Sequence, residues 1–275
     1  MVALPDLGDK ATLVYLWVHE TFRVFRDRLV DASDRAKFSK LAHGRLEHYL
    51  DMEWQLEDFA DVLFGDYEGG PGAAEGARPY LKLSEANALI PTLDDWLEQY
   101  NADFAGAPMN LVFFGDCIQH LSRIARVLKQ QRGNAMLVGV GGSGRRSMAR
   151  LAASIQSMTP FSIEISKSYR EKEWHEDIRG SLLRRAALEN EPVVFLFSDT
   201  QLVRESFLED INNLLNSGEI PNLFPADEKA AICDELGARA REAGCGDSRD
   251  QIYAYFVQVC RENLHIVLAF SPVGD

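Results

Sequence analysis

The sequence predicts an α/β fold: an open parallel sheet with flanking helices, preceded by a small helical subdomain. Three observations predict it. The stretch "NAMLVGVGGSGRRSMARLAASI", residues 134–155, reads as a strand, a glycine-rich loop and a helix. The runs "VVFLF" (193–197) and "LHIVLAF" (264–270) are continuously apolar, as strands covered on both faces of a parallel sheet must be. Helical periodicity separates these strands, and sheets of this kind bind ligands at the carboxyl ends of their strands.

In chain order, residues 11–63 carry helical spacing with a break near Asp31 to Asp34. The stretch "GDYEGGPGAAEGARP" then combines many small residues with few large apolar ones, so a flexible surface loop and a subdomain boundary are expected there. A helix is predicted from Leu111 to Lys129, with Ile118, Leu121, Ile124, Ala125 and Leu128 on its apolar face. An "RGN" turn at Arg132 to Asn134 leads into the strand Ala135 to Gly139. Beyond the glycine loop, Met148, Leu151, Ala152 and Ile155 recur at i, i+3, i+4 and i+7, which lays one helix face on the sheet.

"FSIEIS" (161–166) alternates apolar and polar residues and is predicted as an edge strand, whereas "VVFLF" and "LHIVLAF" should be central. Phe207, Ile211, Leu214 and Leu215 share one helical face and read as core. The run "KSYREKEWHEDIR" reads as a solvated helix start, and "PADEKAAICDELGARAREAGCGDSRDQ" as exposed helix and loop. His265, inside an apolar strand, is expected to be a hydrogen-bonded core histidine.

Composition narrows the function. A net charge of -13 argues against a nucleic-acid surface, which needs clustered Lys and Arg. No run of about 18 apolar residues occurs, so no membrane span is expected. Cys117, Cys233, Cys245 and Cys260 lack C-x-x-C spacing, which predicts reduced cytosolic thiols and no zinc site.

The chemistry concentrates at two strand ends. A P-loop reads G-x-x-x-x-G-K-[ST]: backbone N–H groups and a helix N-terminus hold phosphate, Lys neutralises it and the hydroxyl binds magnesium. Here Gly139, Val140, Gly141, Gly142, Ser143 and Gly144 keep the cradle, while Arg145 replaces Lys and Arg146 the hydroxyl. Arg145 remains a cation of different shape. Ser147 comes one residue late, and a helical step of roughly 100° turns it from the expected metal position. Glycines also serve plain turns, so the strand, the helix face and a second acidic motif are needed to favour nucleotide binding.

That second motif is "PVVFLFSDTQ", a Walker B-like strand end. Either Asp199 is the metal-linked acid and Thr200 takes the following Glu position, or Ser198 takes the Asp position and Asp199 substitutes for Glu. Each register loses one carboxylate, and Asp199 also suits a helix N-cap. Both motifs therefore predict a site that binds ATP or ADP without a sound magnesium grip and with weak or absent hydrolysis.

At this point the long runs resemble a known family. "PMNLVFFGDCIQHLSRIARVLKQQRGNAMLVGVGGSGRRSMARLAA", "FLFSDTQLVRESFLEDINNLLNSGEIPNLF" and "NLHIVLAFSPVGD" resemble the fourth AAA+ module of a dynein heavy chain of axonemal type. "LWVHETFRVFRDRLVD" resembles the helical lid of the third module. The resemblance implies a lid over residues 1–64, a loop over 65–80 and an AAA+ P-loop NTPase core over 81–275 that ends before its last strand and lid. It implies residues 139–147 as the nucleotide-binding loop and Ser198 and Asp199 as the Walker B pair, with Asp199 the catalytic candidate. Ser271 falls at sensor 1, and Arg23 near the sensor 2 position of the third module. Neighbouring AAA+ modules are the implied partners. Microtubules and the intermediate and light chains would be reached only through the complete heavy chain, in the cytoplasm and the cytoskeleton of a cilium or flagellum axoneme. A ring module that is purely structural and no longer binds nucleotide is the alternative.

Overall fold

The computed structural model describes residues 9–50, 62–73 and 78–272. The chain packs as two compact units, residues 1–126 and 127–275. The division falls inside a helix and not at the glycine-rich loop, because residues on both sides of that loop share partners within the first unit.

In the first unit, α1 (Lys10–Val24) opens on Asp9, whose carboxylate accepts the N–H groups of Ala11 and Thr12. A short 3-10 turn (Arg26–Arg28) and α2 (Ala32–Leu50) follow, so the break spans residues 25–31 and Asp34 lies within a helix. The predicted helical pattern over 51–61 lies outside the described residues. Strands β1 (Phe64–Gly65) and β2 (Leu81–Lys82) pair antiparallel and bracket the glycine-rich loop. Its first residues are anchored, contrary to expectation: Asp66 and Tyr67 are buried, the Tyr67 hydroxyl lies 2.7 Å from Ser122 Oγ, and the Tyr67 carbonyl accepts from Trp96 Nε1 at 2.9 Å. Trp96 belongs to α3 (Ala86–Asp103), which buries Leu89, Leu93, Trp96, Leu97 and Tyr100 on one face.

This unit also encloses an ionic group. Arg126 donates to both oxygens of Glu20, with Nε 3.1 Å from Oε1. The Tyr80 hydroxyl lies 3.1 Å from Glu20 Oε1 and 3.2 Å from His19 Nε2, and His19 Nδ1 is 3.1 Å from the Val62 carbonyl. Burial pushes the His19 imidazole down to about 4. Burial opposes ionisation of Glu20 too, yet the hydrogen bond and charge of Arg126 hold its carboxyl below the usual range. Arg23 is paired with Asp27 at 2.9 Å.

Helix α4 (Gly115–Lys129) crosses the division and starts four residues later than the spacing suggests. The second unit is built on four parallel strands, β3 (Ala135–Val138), β4 (Thr159–Phe161), β5 (Val193–Ser198) and β6 (Leu264–Phe270), in the order β3-β6-β5-β4. As expected, β5 and β6 are central, and β5 is buried throughout. Strand β3 is an edge of the described sheet and leaves Met136 and Val138 exposed. His265 is a buried core residue with Nδ1 2.7 Å from the Gly133 carbonyl.

The other edge differs from the predicted "FSIEIS". Strand β4 includes Pro160, which an edge tolerates because one side of the strand needs no donor. It stops at Phe161 because the following groups are engaged elsewhere: the Gln201 amide donates to the Ile163 carbonyl at 2.5 Å and to Ser162 Oγ at 3.2 Å.

Around the sheet lie α5 (Arg145–Ile155), α6 (Glu171–Asp177) continuing through a π-helical turn (Ile178–Arg184) into α7 (Arg185–Ala187), α8 (Glu205–Asn216), α9 (Ala226–Glu242) and α10 (Arg249–Asn263). The charged run in α6 is no mere solvated start. Trp174 is fully buried and stacks on Phe207 at 4.4 Å, its Nε1 donating to Asp210 at 2.8 Å. The acidic stretch forming α9 likewise buries Ile232, Cys233, Leu236 and Ala240, one face at helical spacing. Phe207, Ile211 and Leu214 of α8 are core, as their periodicity predicts.

Candidate functional site

Strand β3 ends at Val138 and α5 begins at Arg145, so the glycine-rich loop spans a strand end and a helix start. Gly144 caps α5 with φ +77°, in the left-handed region where a side chain is strained. Its carbonyl accepts the Met148 N–H at 2.8 Å, while Ser143 N–H turns back to the Val140 carbonyl at 3.3 Å. A Cβ at Gly139 would lie 3.2 Å from Ser143 Oγ, a tight approach, and 3.6 Å from Arg145 Cδ, an ordinary contact.

Arg145 bends toward backbone oxygens. Its guanidinium donates to the carbonyl of Phe270, the last residue of β6, and to that of Val140 at 3.3 Å. The Phe270 carbonyl also accepts the Gly139 N–H at 3.2 Å. Arg146 is exposed, and it shares with Ser147 the wall of a cleft of about 350 Å³. That cleft is completed by Gly141 to Arg145, by Ser198, Asp199 and Thr200 at the end of β5, and by Ala269 and Ser271 at the end of β6.

Ser198 closes β5 and, with Gln201, forms a capping box over the turn Asp199–Gln201. Gln201 Oε1 accepts the Ser198 N–H at 2.7 Å and its hydroxyl at 2.9 Å. The cap is thus Ser198, not Asp199, which leaves the aspartate free to face β6. Asp199 Oδ2 accepts the Ser271 N–H at 2.8 Å and Oδ1 the Thr200 N–H at 2.9 Å. Hydrogen bonds from the Ser271 hydroxyl and then its N–H hold the Asp199 carboxyl below the usual range, and the Arg145 charge adds to this.

Magnesium, which P-loop sites generally take, meets no unshared carboxylate at the end of β5. Both Asp199 oxygens are committed to N–H groups, Ser198 Oγ is bonded to Gln201, and a cation, Arg146, follows Arg145. A hard divalent ion prefers free carboxylate or hydroxyl oxygens. A phosphate group does match, since the N-terminal turn of α5 and two arginines border the cleft.

A family model described as "P-loop containing dynein motor region D4" matches residues 109–275. The chain belongs to this dynein family. It is 43% identical over 276 residues to "Dynein axonemal heavy chain 2" of Mus musculus, covering 99% of this chain and 6% of that protein. It is 41% identical to "Dynein axonemal heavy chain 1" of Mus musculus, covering 100% of the chain and 6% of the relative. It is 40% identical to "Dynein-1-beta heavy chain, flagellar inner arm I1 complex" of Chlamydomonas reinhardtii, covering 98% and 6%. The chain therefore spans about 6% of the length of these relatives.

For this dynein module, the structure brings Gly141 to Ser147, Ser198, Asp199 and Ser271 to one cleft, while outside its lining the Val140 carbonyl accepts from Arg145 and the Gly139 N–H donates to the Phe270 carbonyl. Ser147 reaches the wall despite its helical offset. Gln201 is the residue that sequence reasoning passed over. The S-x-x-Q pattern of a capping box was its available signal. Among the described residues no helix is long and apolar enough to cross a membrane.

Proposed function

We propose that this chain is a regulatory nucleotide-binding module of a dynein heavy chain, holding ATP or ADP at residues 139–147 and hydrolysing it weakly or not at all. One observation carries the reading: a cleft of about 350 Å³ lies where the glycine loop and the ends of β5 and β6 converge. That volume lies within the range of small-molecule sites, about 300–1,000 Å³. Weak hydrolysis is supported by Asp199, whose two oxygens are engaged by backbone N–H groups and so do not stand ready to orient an attacking water. In the complete heavy chain the module would sit among neighbouring AAA+ modules of a microtubule motor in an axoneme, with nucleotide here adjusting the motor.

Calorimetric titration of ATP and ADP into the purified chain tests this. Binding should weaken at least ~10-fold in Gly144→Val, which strains the left-handed cap, and change little when magnesium is chelated. ATP turnover should stay at background. The hold of Arg145 on backbone carbonyls favours a second reading, a purely structural ring module; absence of binding by either nucleotide would establish that reading instead.

A further inference from the structure

Arg145 and Asp199 do not meet directly in the hydrogen bonds of the cleft; a peptide group lies between them. The carbonyl of Phe270 and the N–H of Ser271 belong to one planar unit. Arg145 donates to its oxygen and Asp199 Oδ2 accepts from its nitrogen at 2.8 Å. A cation thus stands at the negative end of the peptide dipole and an anion at the positive end, an arrangement that stabilises both charges and fixes the plane. The two side chains start from different motifs, the helix start after the glycine loop and the turn after β5. The peptide they grip ends β6, which lies between β3 and β5 in the sheet.

We propose that Arg145 and Asp199 clamp the Phe270–Ser271 peptide, and that a bound nucleotide phosphate opens the clamp by drawing Arg145 off the carbonyl. The inference rests on the nucleotide-binding reading above. Arg145 lines the cleft and occupies the cationic position of the phosphate loop. Phosphate carries a full negative charge and can take a guanidinium through two parallel hydrogen bonds, so it competes for Arg145 more strongly than a neutral carbonyl does. When Arg145 leaves, the Phe270 carbonyl keeps the Gly139 N–H, but its charged partner is gone and Asp199 loses the cation across the peptide. Occupancy of the loop is thereby passed to the end of β6 without a metal ion. Asp199 acts here as a positioning residue: its carboxylate holds the peptide that reports on the loop.

Amide NMR on the whole 275-residue chain separates the parts of this proposal. Without nucleotide, Asp199→Asn should speed hydrogen exchange of the Ser271 amide about tenfold, and Arg145→Met should raise the titration midpoint of the Asp199 carboxyl. Unchanged exchange and an unchanged midpoint would remove the clamp itself, whatever nucleotide does. On adding ADP or ATP to the unaltered chain, the amides of Gly142 and Gly144 and that of Ser271 should shift along one saturation curve. In Arg145→Met, which keeps an aliphatic stem, the glycine amides should still respond while the Ser271 response is lost. Glycine shifts without a Ser271 shift, or an equal Ser271 response in Arg145→Met, would overturn the proposal and leave nucleotide binding intact. Silent glycine amides in the unaltered chain would overturn the nucleotide reading and, with it, the opening step.

Discussion

Residues 1–126 and residues 127–275 each set arginine near a carboxylate, and the two arrangements are finished differently. In the first unit Arg126 meets Glu20 through two hydrogen bonds, with Tyr80 and His19 completing a largely enclosed group. In the second, Arg145 and Asp199 hold opposite ends of a peptide at the rim of a cleft, with Arg146 exposed beside them. A guanidinium spent on a carboxylate in a fork geometry has little left for a ligand and serves the fold. One that rests on neutral carbonyls gives them up to a stronger acceptor. The same residue types therefore mark a strut in one place and, on the function proposed above, a receptor in the other, and the partner decides which.

Breaking the strut should have the largest effect on stability. Arg126→Met strands Glu20 and Tyr80 in a partly buried site, and the expected loss is about 2 kcal/mol, below the value for a deeply buried pair because Glu20 retains solvent contact. Urea unfolding of the two proteins measures it. A loss under ~0.5 kcal/mol would place this pair with ordinary surface ion pairs.

The pH response of His19 comes next. Its folded value near 4 lies below the ordinary 6.5, so the unfolded chain binds the extra proton between those limits. The stabilisation is complete above about pH 6.5 and is lost as pH falls toward 4. The expected change from pH 7 to pH 5 is on the order of 2 kcal/mol, from the linkage of ~1.4 kcal/mol per pH unit. His19→Gln should flatten this part of the stability profile, and an unaltered slope in that variant would assign the response to other groups.

The smallest effect sharpens the receptor side. Arg146→Ala should weaken ADP binding about 3-fold at low salt and less at ~0.15 M, because an exposed cation is screened over roughly 8 Å. Titrations at two ionic strengths check both the size and the salt dependence.

How much of this was legible in the sequence follows burial and distance along the chain. Strands β5 and β6 were readable because covering both faces leaves a continuous apolar run, as Phe195, Leu196 and Phe197 show. The helix of α5 was readable from the spacing of Met148, Leu151, Ala152 and Ile155, all buried. Strand β4 was placed too late because alternation in "FSIEIS" is a local signal, while Gln201 decides where pairing stops by taking the Ile163 carbonyl. The burial face of α3 was written at i, i+4, i+7 and i+8 in Leu89, Leu93, Trp96 and Leu97 and went unread.

In the cleft, the residues after the second glycine could be named from the motif, but the direction of Arg145 could not. It depends on Phe270, 125 positions away, and no periodicity encodes such a meeting. His19 and Tyr80, 61 positions apart, were hidden for the same reason.

Strand β3 carries a consequence for synthesis. Its hydrogen-bonded neighbour is not the next strand made but β6, with Ala135 opposite Val267. At a ribosomal pace of ~5–20 residues per second, β3 leaves the tunnel on the order of ten seconds before the strand that must cover it. During that interval the backbone donors and acceptors that β6 will pair stand open on the nascent chain, a ready client for a chaperone and a ready seed for misassembly. The strand that leads into the glycine-rich loop is thus among the last to find its place.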